Sequence, residues 1–280
     1  MKVTFAATSA LLLSGLATAA PFTERRRLAM ERRLSNRRTA GQGKTGLPLA
    51  VNYTTLDDRI QIQKSKNAQY SSNWAGAVEI STSITQVEGT ANFPEVSVPS
   101  GGDSNTEYGG SAWVGIDGDT CSSSILQTGV DWVIQGGQAQ YAAWYEWLPE
   151  YSYNFNITVN PGDEIFMKVV ANSNSSGTAY ITNNSTGESV SHTFSGETAL
   201  CEENAEWIVE DFETVDSSGN AELIPFAKFS TVTFEGASYV HGGTTSGIQG
   251  ASVMDIQQNG TVLTSCSTKG NDGVVCEYAG

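Results

Sequence analysis

Histidine is scarce in this sequence, and the cysteine spacings typical of metal sites are absent. These two features exclude several kinds of chemistry. The 280-residue chain has two histidines, His192 and His241, and no GxSxG motif that would mark a serine hydrolase. It has no CxxC spacing, histidine cluster or phosphate-binding loop, so we expect neither a metal nor another cofactor. His192 alternates within a strand-like run and His241 precedes two glycines, so both histidines are predicted to be structural.

Basic residues are rare after residue 69. Residues 70–280 contain Lys168, Lys228 and Lys269 against 26 acidic residues, a net charge of −23 at neutral pH. Such a surface repels the phosphates of nucleic acid, so a nucleic-acid partner is excluded. Most of this charge disappears near pH 3–4, where carboxylates protonate. The composition therefore indicates a protein suited to acidic solution.

Long apolar runs are confined to the N-terminus. Lys2 is followed by an apolar run to Leu16 and then by small residues, which predicts a secretory signal peptide over residues 1–19. No later run is long enough for a membrane span. We therefore expect a secreted, extracellular protein without membrane attachment, and we expect it to be a monomer.

Residues 20–69 carry eleven basic and four acidic residues, a net charge of +7 that opposes the charge of residues 70–280. This contrast and the dibasic pair Arg37–Arg38 favour a propeptide that inhibits the mature domain and leaves it in acid. A solubilising basic arm is the alternative. The predicted organisation is a signal peptide, a basic propeptide over residues 20–69 and one domain over residues 70–280.

The four cysteines allow three disulfide connectivities. Cys266 and Cys276 flank a turn-like segment, which suggests a hairpin clip and would leave Cys121 to pair with Cys201. N-x-S/T sequons fit a glycosylated surface, and they occur at Asn52, Asn156, Asn174, Asn183, Asn184 and Asn259.

Residues 70–280 show almost no helical periodicity. About a dozen short runs rich in β-branched and aromatic residues, such as "NWAGAVEI", "FNITV" and "FAKFSTVTFEGA", alternate with Gly, Asn, Ser and Asp. This pattern predicts an all-β domain, an antiparallel β-sandwich of two packed, concanavalin-like sheets.

A carboxylate is the natural general base for acidic solution, because burial and neighbouring charges can set its pKa near the working pH. The run "NAEWIVEDFE" places Glu206, Ile208 and Glu210 on one face of a strand. An acid between apolar neighbours fits the floor of a groove or an ordinary solvent-facing position. The two-residue period alone does not separate Glu206 from Glu210.

A polar amide interrupts the apolar run "SILQTGVDW". Gln127 shares a face with Ile125 and Gly129. Its amide N–H group is a suitable donor to a developing oxyanion, and unlike lysine or histidine it has the same form at pH 3 and pH 7. A core glutamine that bonds to the backbone is the alternative.

Aromatic and acidic residues alternate in three further runs. Trp74, Trp113 with Asp117, and Trp144 with Glu146 are candidates for the walls of a substrate groove or for positions behind it. Tryptophan in a sandwich usually belongs to the core, and we predict that position for Trp147 and Trp207.

The sequence from about Ser71 to Tyr278 resembles the fungal glutamic peptidases, or eqolisins. The segments that carry the resemblance occur in the family's order, and they are "SNWAGA", "AWVGIDGDTC", "ILQTGVDW", "AWYEWLPE", "HTFSG", "NAEWIVEDFE", "IPFAKF" and "LTSCS". It implies a β-sandwich that hydrolyses proteins or peptides in acid without metal or covalent intermediate. It implies a catalytic pair of one glutamine and one glutamate. The glutamine is Gln127, and the glutamate, which stands before Asp-Phe, is Glu210.

The resemblance also supports the pairing of Cys121 with Cys201, and it implies that the residues after Trp147 cover the groove. One departure is Ala142, where relatives often carry an acid; the change could alter the pH profile or the specificity. The competing interpretations are an acid glycoside hydrolase that uses Glu146 with Glu210, and a carbohydrate-binding sandwich. Both leave Gln127 and the basic propeptide without a role.

Overall fold

The structure is a computed structural model that describes residues 68–121, 123–215 and 221–280. The predicted signal peptide and all but two residues of the predicted propeptide lie outside these described residues. Every helix or strand within them is a β-strand, in agreement with the all-β prediction. In chain order the strands are β1 (Ala68–Ser71), β2 (Trp74–Ile80), β3 (Ile84–Asn92), β4 (Val96–Ser97), β5 (Tyr108–Ile116), β6 (Ile125–Gln135), β7 (Gln138–Leu148), β8 (Tyr153–Asn154), β9 (Glu164–Ser173), β10 (Ser176–Asn183), β11 (Glu188–Ser195), β12 (Asn204–Glu210), β13 (Glu213–Val215), β14 (Ala221–Leu223), β15 (Lys228–Phe229), β16 (Thr231–His241), β17 (Thr244–Gly247), β18 (Ser252–Gln258), β19 (Thr261–Val262), β20 (Thr264–Lys269) and β21 (Gly273–Tyr278).

Two large sheets form the sandwich that the sequence predicts. The nine-stranded sheet has the order β1-β18-β2-β12-β5-β6-β7-β8, with β19 paired to β18. The eight-stranded sheet has the order β11-β10-β9-β3-β16-β21-β20, with β17 paired to β16. Neighbouring strands are antiparallel, except that β1 lies parallel to β18 at one edge. No described helix is long and apolar enough to cross a membrane.

The main hydrophobic core lies between the two sheets. Strand β12 contributes Ala205, Trp207 and Val209 to it, because alternate side chains of a strand point to the same face. Trp147 of β7 enters the same core, and both Trp147 and Trp207 are fully buried, as predicted. Each indole N–H donates to a backbone carbonyl: Trp147 to Thr198 and Trp207 to Glu88, both at 2.9 Å. Trp147 and Trp207 are therefore buried with their indole N–H groups paired.

The opposite face of the nine-stranded sheet carries a second, smaller apolar cluster. Trp74, Trp113, Trp144 and Ile208 belong to it, and all four are fully buried. The residues that alternate with the core positions of β12 therefore point into a separate environment. This second environment holds the polar side chains of interest.

Disulfides join Cys121 to Cys201 and Cys266 to Cys276. The second bond is cross-strand, because Cys266 and Cys276 are direct partners in the β20–β21 pair. One sequon does not fit the glycosylated surface expected from the sequence. Asn183 is fully buried, and its amide nitrogen donates to the Thr158 carbonyl at 3.0 Å and to a carboxylate of Asp163 at 2.8 Å.

Candidate active site

Four residues from four adjacent strands form one row across the outer face of the nine-stranded sheet. Glu206 of β12 lies opposite Gly115 of β5, Gly115 lies opposite Gln127 of β6, and Gln127 lies opposite Glu146 of β7. Directly paired residues share a face of a sheet, so the three side chains project in the same direction. The row combines the predicted amide with two carboxylates.

Gly115 separates Gln127 from Glu206 without filling the space between them. Their α-carbons are two strand spacings apart, about 10 Å, and both side chains rise beside a residue that has none. A methyl group on Gly115 would lie 2.9 Å from Cζ3 of Trp113 and 3.3 Å from Cβ of Gln127. The glycine thus makes room for the indole of Trp113, which lies over Gly115 beside Gln127.

Glu146 fixes the orientation of the Gln127 amide. Nε2 of Gln127 donates to Oε2 of Glu146 at 2.5 Å, and both residues are buried. An ionised carboxylate only accepts hydrogen bonds, so it selects the NH₂ end of the amide. Oε1 of Gln127 is buried and has no hydrogen-bond partner among the described residues. The amide therefore retains one N–H and its carbonyl oxygen for another molecule in the row.

Glu206 is a fully buried acid whose two oxygens differ. Oε1 accepts a hydrogen bond from the backbone N–H of Asp119 at 3.1 Å. Oε2 is buried and has no partner among the described residues. Burial raises the pKa of Glu206 well above its usual value, and the charges of Asp119, Asp117 and Glu210 raise it further, while the Asp119 backbone hydrogen bond opposes the rise. A carboxyl with such a pKa can take up a proton and return it during a reaction.

The turn that supplies the Asp119 amide is held to the start of β12 from both sides. The Asp117 carboxylate accepts hydrogen bonds from the backbone N–H groups of residues 201–204 at 2.7–3.3 Å. In return, the side-chain oxygen of Asn204 accepts from the backbone N–H groups of Thr120 at 2.9 Å and Cys121 at 3.4 Å. The Cys121–Cys201 disulfide closes the same contact covalently. Asp117 therefore lies behind Glu206 and positions the loop that contacts it. The sequence did not reveal the matching hydrogen bonds that the Asn204 side chain accepts.

Glu210 lies in the neighbouring polar row and is linked to Gln127 through Trp113. Glu210 lies opposite Ser111, whereas Gln127 lies opposite Gly115, four residues further along β5. Nε1 of Trp113 donates to Oε2 of Glu210, and Cζ3 of the same ring lies beside Gly115, next to Cβ of Gln127. One indole therefore borders both side chains. Period-two alternation put Glu206 and Glu210 on one face, and the pairing of Glu210 with Gln127 stays a prediction.

The predicted tryptophans lie between and beside the two polar rows. Trp113 and Trp144 flank Gly129 in the intervening row, and Nε1 of Trp113 donates to Oε2 of Glu210 at 2.9 Å. Trp74 packs edge-on against Trp113, with ring centroids 4.8 Å apart. These indoles form an apolar surface along the outer face, which suits the side chains of a bound polypeptide.

The second polar row ends at the position where the sequence departs from its relatives. Glu210, Ser111, Asp131 and Ala142 follow one another across β12, β5, β6 and β7. Asp131 and Glu210 are both buried. Ala142 therefore removes a side chain from the end of this row and leaves the Gln127–Glu206 row unchanged.

A grouping of Asp117, Cys121 and Cys201 brings three potential ligand atoms within 4.8 Å of one another. It does not fit a metal, because both sulfurs are consumed by the disulfide and thiolate is the form that binds metal ions.

Comparisons with known proteins agree with this architecture. The Peptidase A4 family matches residues 72–278. The chain is 46% identical to Aspergillopepsin-2 of Aspergillus niger over 286 aligned positions, which cover 95% of this chain and 96% of the relative. It is 44% identical to Scytalidopepsin B of Scytalidium lignicola over 219 positions, which cover 76% of this chain and 80% of the relative.

Two solved structures share the fold at similar identity. Scytalido-glutamic peptidase with a peptide-based transition-state analogue superposes with a TM-score of 0.67 at 44% identity, covering 74% of this chain and 98% of that one. Aspergilloglutamic peptidase from Aspergillus niger superposes with a TM-score of 0.58 at 54% identity, covering 61% of this chain and 99% of that one.

Proposed function

The chain belongs to the Peptidase A4 family and is a glutamic endopeptidase, and we propose that Gln127 and Glu210 are its catalytic pair. The observation that carries this proposal is the Trp113 indole, which donates to Glu210 and borders Gln127. Both side chains are buried on the outer face of the nine-stranded sheet. Oε1 of Gln127 has no hydrogen-bond partner among the described residues, and a water molecule can donate to it.

Glu210 acts as the general base in this mechanism. Its ionised carboxylate takes a proton from the water that attacks the scissile carbonyl, and a new C–O bond forms as the carbonyl oxygen gains negative charge. The remaining N–H of Gln127 donates to that oxyanion. Protonated Glu210 then gives its proton to the leaving amine as the C–N bond breaks, and this restores the resting carboxylate. No covalent intermediate forms.

Glu206 is poorly suited to act as the base in acidic solution. Burial makes the largest contribution to its raised pKa, and Asp119 and Asp117 add to it through their negative charge. A carboxyl with a raised pKa holds its proton in acid, so Glu206 does not accept a proton from water there. Its place in the row is a supporting one beside the pair.

The protein is made as a secreted zymogen in this proposal. Residues 1–19 are the signal peptide, residues 20–69 are a basic propeptide that inhibits the acidic domain, and residues 70–280 are the mature enzyme. The opposite charges of the two parts support this organisation. The alignment with Aspergillopepsin-2 covers 95% of the chain, so that relative shares most of the N-terminal region too.

Digestion of a denatured protein and of xylan at pH 3–4 tests the proposal with the full chain, allowed to activate in acid. We expect the protein to be cleaved internally and the xylan to remain intact. Gln127→Ala should lower kcat/KM at least about 100-fold, the usual effect of losing an oxyanion donor. Cleavage of xylan, or unchanged proteolysis by Gln127→Ala, would contradict the proposal.

A further inference from the structure

An aromatic cleft lies at the edge of the sandwich, away from the Gln127–Glu206 row. Its volume is about 380 Å³, and it lies between strands β7, β8 and β11 and the loop that follows β7. Tyr145 belongs to it and points to the opposite face of β7 from Glu146. We call it the aromatic cleft, and define it by Tyr145, Tyr153, His192, Phe194, Glu150 and Glu197.

The rings of the cleft form stacked faces. His192 stacks on Tyr145 with centroids 4.1 Å apart and planes 12° from parallel, and Tyr153 stacks on Tyr145 at 5.9 Å. Phe194 meets His192 edge-on at 4.7 Å. Tyr153 is 48% exposed, so one aromatic face of the cleft is open to solvent. Tyrosine and phenylalanine faces attract cations through the ring quadrupole.

Two carboxylates complete the cleft, and no described lysine or arginine lines it. Burial raises the pKa of Glu197, and the charge of Glu150 raises it further, so the two acids are close enough to repel each other. Lys168, one of the three basic residues in the described part of the chain, pairs with Glu88 at 3.3 Å. A bound cation would relieve the repulsion between the two acids and lie against an aromatic face.

The charge of the cleft depends on pH. The titratable groups that line it are Glu150, Glu197, His192 and the tyrosines Tyr145, Tyr151 and Tyr153. Burial raises the pKa of Glu197 and lowers the pKa of His192. Carboxylates in general lose their negative charge in acid, whereas imidazole gains a positive charge there. The cleft therefore attracts a cation near neutral pH and repels it in acid.

We propose that the aromatic cleft binds an arginine side chain of the chain's own basic segment, Arg25–Arg38, near neutral pH and releases it in acid. Charge supports this occupant, since seven arginines lie between residues 25 and 38 while residues 70–280 have a net charge of −23. Reach supports it as well. Thirty residues separate Arg38 from Ala68 and can extend to about 100 Å, whereas β1 and β8 are seven strand spacings apart, about 33 Å.

The inference deepens the proposed zymogen by giving its inhibitory segment a second contact, distinct from the Gln127–Glu206 row. The inference rests only on the zymogen part of the proposed function. His192 is a built-in reporter, because a cation held beside its ring disfavours protonation. The chain has only one other histidine, so two imidazole signals suffice for NMR, and a His241→Gln variant assigns them.

The experiment measures the pKa of His192 by NMR in the full chain carrying Glu210→Gln, which prevents self-processing. Replacing the seven arginines of residues 25–38 with glutamine should raise the pKa of His192 by roughly one unit, a tenfold change in its protonation equilibrium. The matched control replaces Arg59, Lys64 and Lys66 with glutamine and should leave that pKa unchanged. An unchanged pKa in the first variant would overturn the proposal.

The same arginine replacement is then made in a chain with Glu150→Gln and Glu197→Gln. The shift of His192 should disappear there, and a shift of the same size in both backgrounds would show that the segment acts from elsewhere and would overturn the proposal. If agmatine lowers the pKa of His192 while the arginine replacement has no effect, the cleft binds cations but not this segment, and the proposal fails. None of these readouts uses peptide hydrolysis, so the proposed catalytic pair is tested separately.

Discussion

The indole N–H of Trp113 donates to Oε2 of Glu210 at 2.9 Å. Cζ3 of the same ring lies beside Gly115, next to Cβ of Gln127, so one indole borders both members of the proposed catalytic pair. Gln127 is oriented in turn by its hydrogen bond to Glu146. The geometry of the proposed pair therefore depends on the position of Trp113, and the consequences can be measured.

Gly115→Ala should damage activity more than folding. The added methyl group would lie 2.9 Å from Cζ3 of Trp113 and 3.3 Å from Cβ of Gln127, so it displaces the indole that donates to Glu210. We expect kcat/KM to fall at least about tenfold, with a loss of about 1–3 kcal/mol in the free energy of unfolding, as is usual for overpacking. Urea unfolding and peptide hydrolysis measure the two effects. Full activity would show that catalysis does not depend on the position of Trp113.

Asp255 should make the protein more stable in acid than at neutral pH. Asp255 is buried and its Oδ1 accepts from the Thr264 hydroxyl and the Cys266 backbone N–H, yet burial raises its pKa to about 6. Between the ordinary aspartate pKa of 3.8 and this value, the folded state binds more protons than the unfolded state. The free energy of unfolding therefore falls as pH rises through that window, by roughly 3 kcal/mol for this group.

Asp255→Asn removes this contribution while keeping an acceptor oxygen for both donors. Urea unfolding of the full chain at pH 4 and pH 7 should show a smaller loss of stability for the variant than for the wild type. Glu277→Gln, an exposed acid on β21, controls for a general loss of negative charge. The account fails if the wild type and Asp255→Asn lose equal stability between the two pH values.

Local patterns predicted the sandwich but could not decide the identity of the catalytic acid. Runs of β-forming residues specify strands, and alternation placed Trp207 in the core and Glu206 with Glu210 on the other face. Residues i and i+4 of a strand are equivalent to any period-two argument. The resemblance to relatives made that choice, because it singled out Glu210 as the glutamate before Asp-Phe.

The support behind Glu206 was hidden because it comes from the backbone. Asp117 and Asn204 act on backbone N–H groups of each other's segments, and such donors leave no signature in the sequence. Asp117 could be singled out as an acid near a groove, but its role in holding the β12 loop required the contact itself. The link from Trp113 to Glu210 likewise required the contact.

The most direct measurement compares Glu206→Gln with Glu210→Gln in the acid-activated enzyme. Both variants remove one charge from the same face of β12, and Gln at 210 still offers an oxygen to the Trp113 indole N–H. The account predicts a fall in kcat/KM of about 1,000-fold or more for Glu210→Gln, as expected for a lost general base, and less than about tenfold for Glu206→Gln. A greater loss in Glu206→Gln than in Glu210→Gln would contradict it.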